Sequence, residues 1–149
     1  MNSEQLFAVA NATVLVAWIL LIALPRWHWI AEVLCARLVP ALLAVLYVAL
    51  IGANWMRSEG GFSTLADVSL LFSNPWVLLA GWVHYLAFDL FVGSWEVRDA
   101  RTRGIRHWLV VPCLVLTFLF GPAGWLLYLG LRTAPVGRGI ADGSIDRAR

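Results

Sequence analysis

Two side chains capable of acid–base chemistry, His84 and Asp89, stand five positions apart inside one apolar stretch of this chain. An aspartate near the middle of a membrane-spanning helix costs about 2.5–3.5 kcal/mol on insertion scales, so a carboxyl kept there is read first as a functional group. In such a place Asp89 can give or take a proton away from bulk water. His84 can act as a base, bind a metal or sit as a packed neutral donor. Tyr85 adds a hydroxyl one turn before Asp89. At 100° per residue, Gly81, Tyr85, Asp89 and Glu96 fall in one stripe, a polar seam that a neighbouring helix can approach closely at Gly81. His84 lies about 140° around the ideal helix from Asp89, on the face of Phe88, Phe91 and Trp95. On a regular helix the two are therefore not an adjacent acid–base pair. The seam also has a structural reading, in which Asp89 binds Tyr85 and a polar group of another helix and only fixes the packing.

Other groups carry less chemistry. Glu96, Arg98 and Asp99 form a boundary charge cluster, read either as solvated salt bridges or as a clamp on the polar end of a substrate. A metal site needs three or more convergent ligands, and His28, His84 and His107 are far apart with no histidine-rich box, so no metal is expected. Haem ligation between His28 and His107 stays open. Cys35 and Cys113 belong to no CxxC pair and are read as packed thiols. No phosphate loop, dinucleotide fingerprint or nucleophile elbow occurs. Trp18 and Trp82 lie deeper than the other tryptophans and, with Phe88 and Trp95, are candidate walls of a groove for a long apolar ligand. Packing alone would also account for them.

The elements that must position these groups follow from hydrophobicity. The chain has 149 residues, 61% hydrophobic and 13% charged, with a mean hydropathy of +0.78. That excludes an ordinary soluble domain and leaves no room for a separate soluble catalytic module. Its net charge of +2 comes from eleven arginines, no lysine and nine carboxylates. The arginines fall between apolar stretches or in the tail, which is loop chemistry and not a nucleic-acid surface.

Four stretches, about 6–24, 38–56, 76–95 and 108–131, are long enough to cross a bilayer. The first is longer than a signal-peptide core and is read as a retained helix. Pro40 falls in the first turn of the second, where its missing N–H breaks no helix bond. In the loop 57–74, Thr64 with Asp67 fits a capping box and predicts a short helix on the membrane surface, with a re-entrant segment as the alternative. Asn74 and Pro75 supply the cap and first residue of the third stretch. In the fourth, Pro122 removes the bond that would reach the Phe118 carbonyl, so a mid-span kink is expected. The expected fold is all-α, a four-helix transmembrane bundle with a short interfacial helix between spans 2 and 3. It forms one domain over 1–132, followed by a disordered tail over 133–149. Arg26, Arg37, Arg98, Arg101, Arg103 and Arg106 lie in the odd loops, against Arg57, Arg132 and Arg138 on the other side. The positive-inside rule then puts the odd loops in the cytoplasm and both termini outside.

The run Trp82, Val83, His84, Tyr85, Leu86, Ala87, Phe88, Asp89, Leu90, Phe91, the linker with Arg98 and Asp99, and the later Phe120, Gly121, Pro122, Ala123, Gly124 resemble the abscisic-acid-deficient 4-like family. These are small multi-pass membrane proteins, and the similarity covers most of residues 6–132. Plant members are implicated in neoxanthin synthesis, the conversion of an epoxy-carotenoid into its allenic isomer. The resemblance implies an apolar carotenoid or isoprenoid dissolved in membrane lipid and a redox-neutral isomerisation that uses no cofactor. Opening an epoxide while forming an allene needs an acid for the oxygen and a base for a polyene proton. Asp89 in its neutral form is then the acid, with His84 or Tyr85 as base or orienting group. No plastid transit peptide is recognisable ahead of the first span, so a bacterial inner membrane is expected. Two other classes stay open: a non-catalytic carotenoid-binding or assembly protein, and a proton or ion pathway through Asp89, His84 and Glu96. The latter is disfavoured by there being one polar span. Gly81 and Gly93 are compatible with a homo-oligomer and equally with packing inside one chain.

Overall fold

The structure, a computed structural model, describes residues 2–133, and every regular element among them is a helix. Helix α1, Ser3–Ala23, opens with a reciprocal cap: the Gln5 N–H donates to the Asn2 side chain at 2.8 Å while the Asn2 N–H donates to the Gln5 side chain at 3.1 Å. It ends before Pro25, which disfavours helical backbone at Leu24. A second long helix runs over Ile30–Arg57. It is π-wound over Ile30–Leu38, α-helical over Val39–Asn54 (α2), and closes with a 3-10 turn over Trp55–Arg57. Pro40 lies in the first turn of α2, as expected, but the helix does not start there: the π-wound segment leads into it without a break. The wider winding accommodates Pro40: the Val39 N–H bonds to Leu34, and the change to α winding falls where proline offers no N–H.

Helix α3, Leu65–Leu71, is the expected short helix, with the Asp67 N–H donating to the Thr64 hydroxyl at 3.1 Å. The turn before it needs glycine, since Gly60 has φ +90° and a Cβ there would overlap the Asp67 carbonyl. Helix α4, Pro75–Thr102, is capped by Asn74, whose side chain accepts from the Trp76 N–H at 2.9 Å. It continues seven residues past Trp95, so the segment from Glu96 onward is helix and not a solvated linker.

The largest departure from expectation is at the end of the described chain. A single kinked helix over 108–131 is replaced by two, α5 at His107–Phe120 and α6 at Pro122–Thr133. The chain reverses at Gly121, whose φ is +46°, a conformation open to glycine. Gly121 lies against Asp89, yet Tyr128 and Arg132 both reach Asp99, ten residues further along α4, at 2.7 and 3.1 Å. Helix α6 therefore runs back along α5. Gly124 allows the close approach, since a Cβ there would overlap the backbone of Thr117 and Cys113. Thr133 ends α6, and the rest of the expected tail, 134–149, lies outside the described residues.

Helix α4 is central, touching α1, α2, the π-wound segment, α5 and α6. Val83 and Leu90 of α4, with Trp18, Leu114 and Tyr128 from its neighbours, are among the fully buried side chains. The outside is apolar too: Val16, Leu42, Val45, Val48, Phe120 and Leu126 are all exposed. An apolar surface around an apolar core is what lipid solvates and water does not. Ser3–Ala23, Ile30–Arg57 and Pro75–Thr102 are long and apolar enough to cross a membrane. With 14 residues, α5 extends only about 21 Å, short of a hydrocarbon core of about 30 Å.

Candidate functional site

Asp89 stands at the midpoint of the 28-residue α4 and packs against the α5–α6 turn. A Cβ at Gly121 would lie 2.9 Å from Asp89 Oδ1 and 3.1 Å from Oδ2, so glycine is what the carboxyl requires as its neighbour. Asp89 Oδ2 is buried and has no hydrogen-bond partner among the described residues. Buried polar atoms are nearly always paired, so an orphaned carboxyl oxygen in mid-helix needs a reason. Tyr85 and Glu96 of the same stripe also meet the α5–α6 hairpin. The Tyr85 hydroxyl donates to the Phe118 carbonyl at 3.2 Å. That is the carbonyl Pro122 cannot serve, so Tyr85 closes the broken end of α5. Glu96 accepts from the Thr117 hydroxyl at 2.9 Å. Gly81 is the exception in the stripe: it faces the Phe72 ring and not another helix.

Glu96 departs from its expected place at the water boundary. It is 0% exposed, because α4 carries it inward and the hairpin covers it, and its Oε2 has no partner among the described residues. Asp99 and Arg98 are not free charges either. Asp99 accepts from the Tyr128 hydroxyl at 2.7 Å and pairs with Arg103 at 2.8 Å and Arg132 at 3.1 Å, which ties α6 down. Arg98 donates from Nε to the Ser94 carbonyl at 3.2 Å.

His84 lies on the other face of α4, exposed, with its ring 4.6 Å from Phe88 and 5.5 Å from Tyr47 between centroids. It borders an apolar cavity of about 280 Å³ with Ile51, Phe72 and Val77. It does not meet Asp89. On the Asp89 side, Phe7, Trp82 and Tyr85 form an aromatic row with centroid spacings of 5.7 and 5.3 Å, and Trp82 donates from Nε1 to Asn11 at 3.0 Å. The Tyr85 end of the row meets the hairpin, while Phe7 and Trp82 at the other end are exposed and border a recess of about 250 Å³ beside Pro75 and Leu78.

The four tryptophan and phenylalanine groove candidates are dispersed. Only Trp82 belongs to this row. Trp18 is buried against Gly93 and Phe118, so it fills the core, which is the packing alternative, and does not wall a groove. Phe88 is exposed beside His84, and Trp95 packs edge-on against Tyr128 under Arg132. His28 and His107 border one cavity, but His28 Nδ1 is 2.8 Å from Arg101 and His107 donates from Nε2 to the Ile22 carbonyl at 2.8 Å. No three His, Cys, Asp or Glu side chains among the described residues converge as a metal site.

Residues 5–128, including the Trp82–Phe91 run and the Gly121–Gly124 turn, match the family described as ABA DEFICIENT 4-like. The chain belongs to the ABA DEFICIENT 4-like family. A relative, Protein ABA DEFICIENT 4, chloroplastic, from Arabidopsis thaliana, is 26% identical over 132 residues. The match covers 82% of this chain, which spans 58% of that relative's length. No solved structure matches the chain.

Several features of this ABA DEFICIENT 4-like chain escape a reading by helical period. Thr117 and Tyr128, polar groups in apolar helices, are the partners of Glu96 and Asp99. A lone hydroxyl amid leucine and phenylalanine was a usable signal that a buried acceptor faces it. The contact of Gly121 with Asp89 had no such signal, since it depends on the reversal of the chain.

Proposed function

We propose that this ABA DEFICIENT 4-like protein is a multi-pass membrane protein that isomerises a carotenoid or related isoprenoid without net redox change, in an epoxide-to-allene reaction. The observation that carries this reading is the half-buried Asp89 carboxyl, one oxygen unpartnered, at the foot of the aromatic row Phe7, Trp82, Tyr85. A long polyene lying along that row would bring one end ring to Asp89 from within the lipid. The epoxide C–O bond next to the polyene breaks as the oxygen takes a proton. The neighbouring vinylic C–H then breaks, and its electron pair completes the allene. One proton is consumed and one is released. His84 faces away and Glu96 is sealed, so a single group is assigned both transfers: Asp89 protonates the oxygen, and its conjugate base accepts the proton from carbon. Tyr85 is a positioning residue that holds the turn. The resemblance of the Trp82–Phe91 run to proteins implicated in neoxanthin synthesis supports the substrate class.

In this reading α1, the 30–57 helix and α4 cross the bilayer, while α5 and α6 enter and leave by one side. Arg26, Arg37, Arg98, Arg101, Arg103, Arg106 and Arg132 then lie toward that side, with Arg57 toward the other. The positive-inside rule makes the arginine-rich end cytoplasmic in a bacterial inner membrane and Asn2 external. The fold-back brings the end of α6 inside, in contrast to the four-span expectation.

The test is to express wild type and Asp89→Asn in carotenoid-producing cells and compare total and protein-bound pigments by chromatography and mass spectrometry. An isomer of equal mass formed by wild type alone is expected. Bound but unaltered pigment in both would favour a carrier or assembly protein.

A further inference from the structure

The arginine-rich end holds a cavity of about 380 Å³ that the proposed reaction does not use. Its walls are apolar at Val97, Ala100 and Ile105, while Arg26, Arg101 and His107 stand around it. Arg101 is fixed in place: its Nη2 donates to the Pro25 carbonyl at 2.8 Å, and its Nη1 is 2.8 Å from His28 Nδ1 and 3.4 Å from Glu32. Among the described residues Glu32 is the one carboxylate paired with this guanidinium, and it offsets one charge. Asp99, the nearest other acid on α4, is engaged by Arg103 and Arg132. Arg26 is exposed and forms no ion pair among the described residues, so the cavity keeps a net positive charge. Helix α5 also begins here, at His107, and Arg106 gives its first turn no side-chain cap. The positive end of that helix thus adds to the two guanidinium groups.

An anion is the ligand this arrangement favours, and the apolar walls favour one attached to an apolar body. We propose that the cavity binds the phosphodiester of an anionic lipid headgroup. Arg26 and Arg101 contact its oxygens, and Val97, Ala100 and Ile105 receive the glycerol and first acyl carbons. Basic pockets between membrane helices on the positively charged side are suited to such headgroups. The phosphate chemistry is shared with free phosphate, and the apolar walls are what select the lipid.

The full-length protein, purified in zwitterionic detergent, is titrated with dioleoyl phosphatidylglycerol, dioleoyl phosphatidylcholine or inorganic phosphate, and bound ligand is counted by native mass spectrometry. Phosphatidylglycerol is expected to be retained at least tenfold more than phosphatidylcholine. Arg26→Gln should reduce that retention several-fold, and Arg26→Gln with Arg101→Gln should bring it to the phosphatidylcholine level. Arg57→Gln, at the opposite end, should leave it unchanged. Because Arg101 also holds the Pro25 carbonyl, Arg26→Gln is the deciding variant, with its helicity and melting matched to wild type. Equal retention of the two lipids, or unchanged retention in Arg26→Gln, overturns the proposal. Inorganic phosphate that displaces phosphatidylglycerol at comparable concentration would assign the cavity to free phosphate and overturn the lipid assignment.

Discussion

The two faces of α4 treat a polar side chain in apolar surroundings in opposite ways. Asp89 is half-buried against a turn made of Gly121, with one oxygen left without a partner and the Phe7–Trp82–Tyr85 row leading to it. His84, five residues earlier, is exposed and packed on the rings of Tyr47 and Phe88. An exposed imidazole can rest on aromatic edges, so its position demands little of the fold. A mid-helix carboxyl cannot, and around Asp89 the protein has built a broken helix, a left-handed glycine and a capped carbonyl. The difference teaches that reactivity is to be sought where the fold is shaped around a polar group, not wherever a polar group occurs in an apolar stretch.

The sharpest way to break this comparison is to remove each group in turn. Asp89→Asn keeps the shape and removes the exchangeable proton. General acid–base catalysis contributes about 10²–10⁴ in rate, so turnover of the pigment should fall by about 100-fold or more. His84→Phe should leave turnover within about threefold of wild type, since the ring packs but does not reach Asp89. Product per folded protein, measured in carotenoid-producing cells, checks both. The reverse ranking would move the site to the His84 face and its cavity of about 280 Å³.

The paired glycines test the same contrast at the level of the backbone. Gly121→Ala forces a side chain onto φ +46° and drives its Cβ to 2.9 Å from Asp89 Oδ1. Strain of this kind costs about 1–3 kcal/mol, so a lowered melting temperature together with lost turnover is expected. Gly81→Ala also meets a neighbour, Phe72 Cε1 at 2.7 Å, but that is the far end of a side chain in a connecting loop. It can move aside, and a smaller loss of stability with turnover retained is the expected result. Melting of both variants in detergent decides whether the α5–α6 turn is the more tightly determined of the two.

Local chemistry made much of this legible. The caps at Asn74 and Thr64, the short α3 helix and the separation of His84 from Asp89 all follow from residue type and the helical period. The polar seam was also readable, and Tyr85, Asp89 and Glu96 do converge on one partner, the α5–α6 hairpin. What could not be read was the depth of Glu96, the choice between groove wall and core packing for Trp18, and the reversal at Gly121. Each depends on which element lies opposite, and a period of 3.6 residues assigns a face without saying what covers it. Pro122 signalled a broken hydrogen bond, but a kink and a reversal both break it. The left-handed conformation of Gly121 and the pull of Asp99 on Tyr128 and Arg132 decide between them, and these are tertiary facts.

The smallest expected effect separates positioning from catalysis at Tyr85. Tyr85→Phe removes the O–H that donates to the Phe118 carbonyl at 3.2 Å and leaves that carbonyl bare next to Pro122. A hydrogen bond of this kind contributes about 0.5–1.5 kcal/mol, so a modest fall in melting temperature is expected. The aromatic row keeps its ring, so substrate retention should not change. If Tyr85 only fixes the turn, turnover per folded molecule stays within a few-fold of wild type, and adding the Gly121→Ala change should cost less than the sum of the two, since both act on one turn. If Tyr85→Phe instead matched Asp89→Asn in lost turnover while melting like wild type, the hydroxyl would belong to the chemistry. The Asp89 face would then hold two reacting groups, and the assignment of both proton transfers to one carboxyl would be wrong.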